Sequence, residues 1–475
     1  MRILEVILFL LVLVMIMSMF NRKLRGTKLI KVLPWFSLLI FIIHGYTEGM
    51  RWQLSILYIL IILQLFLSFK FINQWMFEHI RLKKAISVLV ILFFVVSLLF
   101  TYAFPVYKMP VPEGKYEVGT VSFDLVDNNR QEIYSENIST NRKIKIQMWY
   151  PAQDVQEYNL VPWLEKDAGT VAKGVAKMMG FPQFVLSHTA LVMSNSYENP
   201  PILEGEDLWP VVMISHGWTG FNNIHADVAE LLASHGYLAI SIDHTYGSAV
   251  TVFNDGEVAY VNEDALPERE ITPNYLEYAN TLVNTFAGDI NLTLNHLEKI
   301  NVGKVDEKFK GKLDLSNIGI IGHSTGGGAS VATALDDDRV KALIGMDAWV
   351  EPIQKNKLDA GLQIPSLFLR SHEWEESLNN ENLFLLLDKN KPPTDLFQIN
   401  NTGHQDFSMI YMYSPLSKYF HITGELDGRE GAKIQHEFIL NFFDLYLKKS
   451  ANKSIDDVAN EFDVVNKLYS KTSSE

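Results

Sequence analysis

The sequence predicts a mostly parallel α/β sheet with helices on both faces, preceded by a helical region suited to lipid. Three observations carry this. From residue 211 to 449, short β-rich runs that are apolar on both faces alternate with helical stretches, the pattern of a sheet covered on both sides. Residues 1–105 hold four apolar stretches. Charge divides at the same place: of 41 Lys+Arg and 55 Asp+Glu, 11 and 3 lie in residues 1–105, leaving 30 and 52 beyond. An acidic domain of that balance repels phosphate and is a poor partner for nucleic acid. The chain has no cysteine, which excludes disulfides, zinc–thiolate sites and a cysteine nucleophile.

The apolar stretches are Ile3–Phe20, Leu29–Tyr46, Leu54–Phe69 and Ala85–Phe104. A span of the hydrocarbon core takes roughly 20 apolar residues. The first, third and fourth stretches fit once their flanks are included. The second, with Lys31, Pro34 and His44 inside it, is the weaker one. A cleaved signal peptide is disfavoured, because the basic cluster Arg22, Lys23, Arg25, Lys28 follows the first apolar run instead of preceding it. Lys and Arg crowd 21–31 and 70–84, whereas 47–52 carries only Arg51. The positive-inside bias then puts 21–31 and 70–84 in the cytoplasm. Everything after about residue 105 is expected on the extracytoplasmic side of a cell membrane.

The expected domains are a membrane region of about four helices (1–105), a Pro- and Gly-containing linker (106–115), a catalytic domain (116–450) and a polar C-terminal tail (451–475). Within the catalytic domain, 116–127 and 143–152 read as strands. Residues 160–200 are apolar and irregular, consistent with a lid or with plain core. Then come strands at 211–215, 237–243, 317–324, 340–347, 365–371 and 394–400. Helices are expected at 224–236, 273–300, 325–335 and 434–449.

One corner in this pattern carries chemistry. Gly322-His323-Ser324-Thr325-Gly326 is G-x-S-x-G between a strand and a helix. A sharp turn there exposes the serine hydroxyl at the carboxyl end of the sheet, where open α/β sheets bind ligands. The Thr325 amide follows at a helix N-terminus and can face a developing oxyanion. A serine needs a base and an orienting carboxylate, in the chain order Ser, acid, His. His404, in the loop "NNTGHQDF" after strand 394–400, is the expected base. His372 is its rival, while His421 and His436 read as surface or helix residues. Asp347, ending "VKALIGMD", is the expected acid. Asp336, Asp337 and Asp338 read as a solvated turn, Asp406 lies too near His404, and Asp243 precedes the serine. In "SHGWTGFNN" (215–223), the Trp218 amide is the expected second oxyanion donor, with His216 organising the loop.

In order, "KIKIQMWYPA", "VVMISHGWTGFNN", "LLASHGYLAISIDHTYGSA", "IGIIGHSTGGGAS", "LIGMDAWVEP" and "NTGHQDFS" resemble the α/β-hydrolase family of plasma and intracellular type II platelet-activating factor acetylhydrolases and their bacterial relatives. The likeness covers roughly 115–450. Ser324, Asp347 and His404 match the family's G-H-S-x-G-G serine, L-D-A-W aspartate and H-Q-x-F histidine. Trp218 matches its loop amide. Two departures stand out: the region 1–105 lies outside the family core, and methionine replaces the leucine before the aspartate. The resemblance implies calcium-independent hydrolysis of carboxylic esters, often of short or oxidised acyl chains on phospholipids. The expected function is a membrane-anchored serine ester hydrolase acting on short-chain or lipid esters, with no metal or cofactor. The alternatives are an acyltransferase with the same triad and a membrane scaffold with a retired hydrolase fold.

Overall fold

The structure, a computed structural model, describes all residues except 26, 69–79, 136–139, 206–207 and 473–475. The N-terminal region folds as apolar helices α1 (Ile3–Phe20), α2 (Lys28–Thr47), α3 (Ser55–Ser68) and α4 (Ile80–Ala103). Leu8, Val12, Leu57, Ile61 and Val90 interlock at their centre. Ile3–Phe20, Lys28–Thr47 and Lys84–Ala103 are long and apolar enough to cross a membrane, whereas Trp52–Ser68 is a shorter apolar helix. Over the described residues the expected ranking of the two middle stretches is therefore reversed. The basic segment expected at 70–84 lies outside the described residues up to 79.

One end of this bundle is charged. Glu5 is fully buried and accepts from Arg2 and Arg51, at 2.9 Å each. Arg51 also donates to the carbonyl of Phe104 at 2.5 Å, and Arg2 reaches the carbonyls of Glu48 and Gly49. A buried carboxylate is tolerable only with such partners. These residues lie at the start of α1, in the α2–α3 turn and just beyond α4, so the bundle presents this end to the remainder of the chain.

That remainder is built on an eleven-stranded sheet. The strands are β1 (Glu117–Gln131), β2 (Asn141–Ala152), β3 (Leu160–Pro162), β4 (Met193–Glu198), β5 (Trp209–Ser215), β6 (Leu238–Asp243), β9 (Leu313–His323), β10 (Val340–Met346), β11 (Ser366–Ser371), β12 (Thr394–Ile399) and β13 (Val465–Lys471), and a separate pair is formed by β7 (Val250–Val252) and β8 (Val258–Tyr260). The order is β13-β12-β11-β10-β9-β5-β6-β2-β1-β4-β3. The run from β6 through β5, β9, β10 and β11 to β12 is parallel, and β2 joins β6 antiparallel. Parallel strands need covered crossovers, which explains why β5 and β6 are buried along their whole length.

Helices α5 (Ala168–Met178), α6 (Ala226–Ser234) and α10 (Gly428–Phe443) pack into the core on one face. Helices α7 (Tyr275–Asn301), α8 (Thr325–Asp336) and α9 (Asn379–Lys389) pack into the core on the other.

One expectation requires correction. The residues read as a polar tail contain α11 (Ile455–Asn460) and β13, which pairs antiparallel with β12 from Thr394↔Lys471 to Ile399↔Val465. An edge strand is wetted on one side, so "VNKLYSK" shows no apolar run to betray it. The linker 106–115 is fastened down: Met109 is buried in the core, and Asn195 donates to the carbonyl of Pro110 at 2.8 Å. The irregular 160–200 segment divides between two jobs. Val171, Ala172 and Val175 of α5 enter the core, while Met178 and Met179 reach the cavity described next.

Candidate active site

β9 ends at His323, and Ser324 turns the chain into α8. Ser324 has φ 55° and ψ −121°, a conformation that costs a non-glycine residue on the order of 1–3 kcal/mol. The surroundings hold it there. Its amide donates to the carbonyl of Met346 at 3.0 Å, and its carbonyl accepts from Gly328 and Trp349 at 3.0 and 2.9 Å. Gly326 is required because a Cβ there would stand 2.2 Å from the carbonyl oxygen of Ser215. On the other side Gly217 brings its loop so close that a Cβ would lie 2.8 Å from that of Ser324.

The carboxyl ends of β10 and β12 supply the partners. Asp347 follows β10, with its side chain fully buried. Its Oδ2 accepts from His404 Nδ1 at 2.9 Å. Ser371, at the end of the neighbouring strand β11, donates its amide to Oδ1 at 2.8 Å and its hydroxyl to Oδ2 at 2.6 Å. With Nδ1 donating to a carboxylate, Nε2 of His404 is left as an acceptor. Ser324 and His404 line the same cavity of about 230 Å³.

The imidazole of His404 is held on both faces. Trp374 stacks on one, with ring centres 4.6 Å apart and planes 6° from parallel. His323 lies against the other at 4.6 Å and donates from Nε2 to the carbonyl of His404 at 3.1 Å. Burial, and then the neighbouring His404, hold His323 well below the usual histidine range, so it stays neutral and places no charge beside the His404 ring. Glu373 accepts from the amide of His404 at 2.6 Å.

Trp218 lines the cavity from the 217–221 loop, and Thr325 follows Ser324 as the first residue of α8. In that loop Thr219 N–H is engaged by the carbonyl of Gly247 and Gly220 N–H by that of Gly217, each at 2.9 Å. Among the described residues no hydrogen bond engages the amides of Trp218 or Thr325. His216 is buried and bonds the carbonyl of Gly217 and the hydroxyl of Ser248, so it organises this loop.

The rival residues sit elsewhere. His372 is exposed and faces Glu375 at 3.5 Å. His436 pairs with Asp227 at 3.0 Å, and His421 is exposed. Asp406 accepts from the amides of Gly403 and Gly424 at 2.7 Å each, shaping the loop that carries His404. Asp243 accepts from the amide of Asn222. Burial, against the pull of Lys145, pushes its carboxyl up to about 7. Asp336 pairs with Lys357 and Asp337 with Arg339.

Sequence reading missed Ser371, Glu373 and Trp374, all within "RSHEWEES" (370–377). A signal was present. In a parallel sheet the residues that follow adjacent strands converge, and β11 lies beside β10 with Leu369 opposite Met346. The turn after β11 therefore had to meet Asp347.

Three comparisons bear on this site. The family model described as platelet-activating factor acetylhydrolase, isoform II, matches residues 101–465. A platelet-activating factor acetylhydrolase of Canis lupus familiaris is 24% identical over 361 residues, covering 72% of this chain and 77% of the relative. A putative phospholipase A2 of Schizosaccharomyces pombe is 24% identical over 369 residues, covering 67% of this chain and 80% of the relative. Among solved structures, a ferulic acid esterase from Streptomyces cinnamoneus superposes with a TM-score of 0.64 at 20% identity, covering 77% of this chain and 100% of that one. That last likeness concerns the fold.

Proposed function

Because the chain belongs to the platelet-activating factor acetylhydrolase, isoform II, family and is an ester hydrolase of that kind, we propose that Ser324 is its nucleophile, His404 its base and Asp347 the residue that orients the base. Ser324 Oγ attacks the ester carbonyl while Nε2 of His404 takes its proton. The tetrahedral oxyanion is held by the amides of Trp218 and Thr325. The acyl–oxygen bond breaks, and the proton returns from His404 to the departing alkoxide, giving the alcohol and an acyl-Ser324. Water, deprotonated by His404, then releases the acid. Asp347 fixes the imidazole tautomer and stabilises its charged form. The observation that carries this reading is the 2.9 Å Asp347–His404 contact on a cavity shared with the strained Ser324. Removal of one oxyanion donor in such sites costs about 10²–10³ in turnover.

The apolar bundle would anchor this hydrolase in the membrane, with 21–31 in the cytoplasm and the catalytic domain outside. The Lys and Arg bias supports that orientation, as does the gathering of Arg2, Glu48, Arg51 and Phe104 at the end nearest the sheet domain. Relatives named as acetylhydrolase and phospholipase favour a phospholipid-like ester.

The test is hydrolysis of p-nitrophenyl esters from acetate to palmitate by the full-length protein in nanodiscs, wild type beside Ser324→Ala. Turnover by the wild type alone supports the assignment, and its chain-length profile sizes the acyl pocket. Equal turnover by both proteins would refute it.

A further inference from the structure

The two segments that wall the Ser324 cavity are both fastened to the charged end of the helical bundle. Met178 and Met179 contribute from the segment that continues to Leu191, and Ile410, Tyr413 and Ile422 from the segment after His404. Trp52, in the turn between α2 and α3, donates from Nε1 to the carbonyl of Val185 at 3.1 Å. Its ring packs on Phe184 at 5.3 Å, and on Phe100 and Phe104 of the α4 end. On the other wall Ser414 donates to the carbonyl of Ala103, the last residue of α4, at 2.6 Å. His188 ties the two walls together through the carbonyl of Tyr413 at 3.2 Å, with its ring against Phe104. The bundle is thus part of the frame of the cavity.

Beside these fastenings the surface is aromatic. Phe181 and Phe184 on one wall and Tyr419 and Phe420 on the other stand 43 to 70% exposed. Phe181 comes two residues after the cavity-lining Met179, and Phe420 two before Ile422. Large exposed aromatics that follow or precede cavity-lining residues on both walls mark an interaction surface. The occupant follows from continuity. Trp52 joins Phe184 directly to the apolar flank of the bundle, where Leu99, Phe100 and Tyr102 are also exposed. Tryptophan, tyrosine and phenylalanine at the end of a span match a membrane interface.

Resting on the Ser324 assignment and on the bundle crossing a bilayer, we propose that the cavity takes its ester sideways from the lipid leaflet on the hydrolase side, through a mouth between Phe181 and Phe184 on one lip and Tyr419 and Phe420 on the other. The bundle sets this mouth at the height of the lipid headgroups. A lipid-borne ester then need not leave the bilayer to reach Ser324, whereas a small ester can arrive from water.

The test uses the full-length protein in phosphatidylcholine vesicles that contain a fluorogenic phospholipid with a short acyl ester. Hydrolysis of p-nitrophenyl acetate is measured in the same vesicles. The double substitution Phe184→Asp with Phe420→Asp is expected to lower the lipid-borne rate at least tenfold and to leave the acetate rate within twofold. Unchanged lipid hydrolysis, or a parallel fall in both rates, would overturn the proposal. Because the chain has no cysteine, a second measurement is independent of activity and of that variant's folding. Single cysteines at 184, 420 and the exposed Ile271 carry a fluorophore in vesicles of acyl-brominated lipid. Quenching at 184 and 420 but not at 271 is expected, and its absence at 184 and 420 would overturn the mouth. Should Ser324→Ala keep both activities, the catalytic assignment fails while the quenching still reports on the mouth.

Discussion

Two sets of Asp, His and Ser lie in this molecule, and in each the aspartate bonds the histidine through Nδ1. At the cavity Asp347 bonds His404 Nδ1 at 2.9 Å, with Trp374 stacked on the ring and Ser324 on the same cavity. In the interior Asp289 bonds His244 Nδ1 at 3.1 Å, Phe286 stacks on that ring at 3.8 Å, and Ser215 bonds its Nε2 at 2.9 Å. The difference lies in what else each group touches. Burial alone would raise the Asp289 carboxyl, but the charge of Arg142 and the bonds from His244 and Arg142 hold it well below the usual range. Arg130 adds a further contact at 2.7 Å. Ser215, His244 and Asp289 are all sealed from solvent. Among the described residues the only hydrogen bonds to the Asp347 carboxylate come from Ser371 and His404, and Arg370 acts on it without a hydrogen bond. Three residues in the right order of contact are therefore not sufficient. The carboxylate must not be locked in an arginine ion pair, and the serine must open on space.

The widest separation between the two sets is expected at the serines. Ser324→Ala should lower kcat/KM for p-nitrophenyl acetate by about 10⁴ or more. Ser215→Ala should leave it within a few-fold and cost on the order of 1 kcal/mol of stability, read by denaturant titration. The acids should part in the same way. Asp347→Asn, which spoils the tautomer, is expected to cost about 10⁴ in kcat at little cost in stability. Asp289→Asn breaks the buried Arg142–Asp289 pair, leaving Glu132 as the remaining counter-charge of Arg142, and should destabilise by about 3 kcal/mol, with activity retained per folded molecule. If Asp289→Asn removed activity from a fully folded protein, the comparison would break.

Smaller effects sharpen it. Trp374→Ala should lower kcat about tenfold, the scale of a face-on aromatic contact with a charged imidazole. KM should change little, and Trp374→Phe should restore most of the loss. A merely structural role would instead move stability and spare kcat. A last effect concerns pH. Burial holds His188 down to about 4, against about 6.5 in an unfolded chain. Between these values the unfolded chain binds the proton and the fold does not. The stability contribution is therefore full above pH 6.5 and is lost as pH falls toward 4, by up to about 3 kcal/mol. Melting temperatures of His188→Gln should accordingly fall less steeply than wild type over that range.

Where the candidate site depends on a local backbone device, that device was legible in the sequence. The glycines around Ser324, the β-rich run before it and the polar loop around His404 each state a turn that only certain residues can make. The parallel character of the sheet followed from strands apolar on both faces. What stayed hidden depends on convergence across the chain. Trp374 meets His404 across thirty residues because β11 and β12 are neighbours. Ser215, His244 and Asp289 are separated by whole elements, and nothing in their flanks sets them apart from ordinary core. β13 escaped notice because an edge strand needs no apolar stripe. The clamp of Arg2 and Arg51 on Glu5 was invisible because each charge taken alone reads as a helix end at the membrane surface.

The most direct measurement of the central claim is the site of covalent capture. Full-length protein is treated with a fluorophosphonate and digested, and the adduct is located by mass spectrometry in wild type, Ser324→Ala, His404→Ala and Ser215→Ala. The account predicts one adduct, on Ser324, that persists in Ser215→Ala, fades with His404→Ala and disappears with Ser324→Ala. An adduct on another serine, or undiminished labelling of Ser324→Ala, would contradict it.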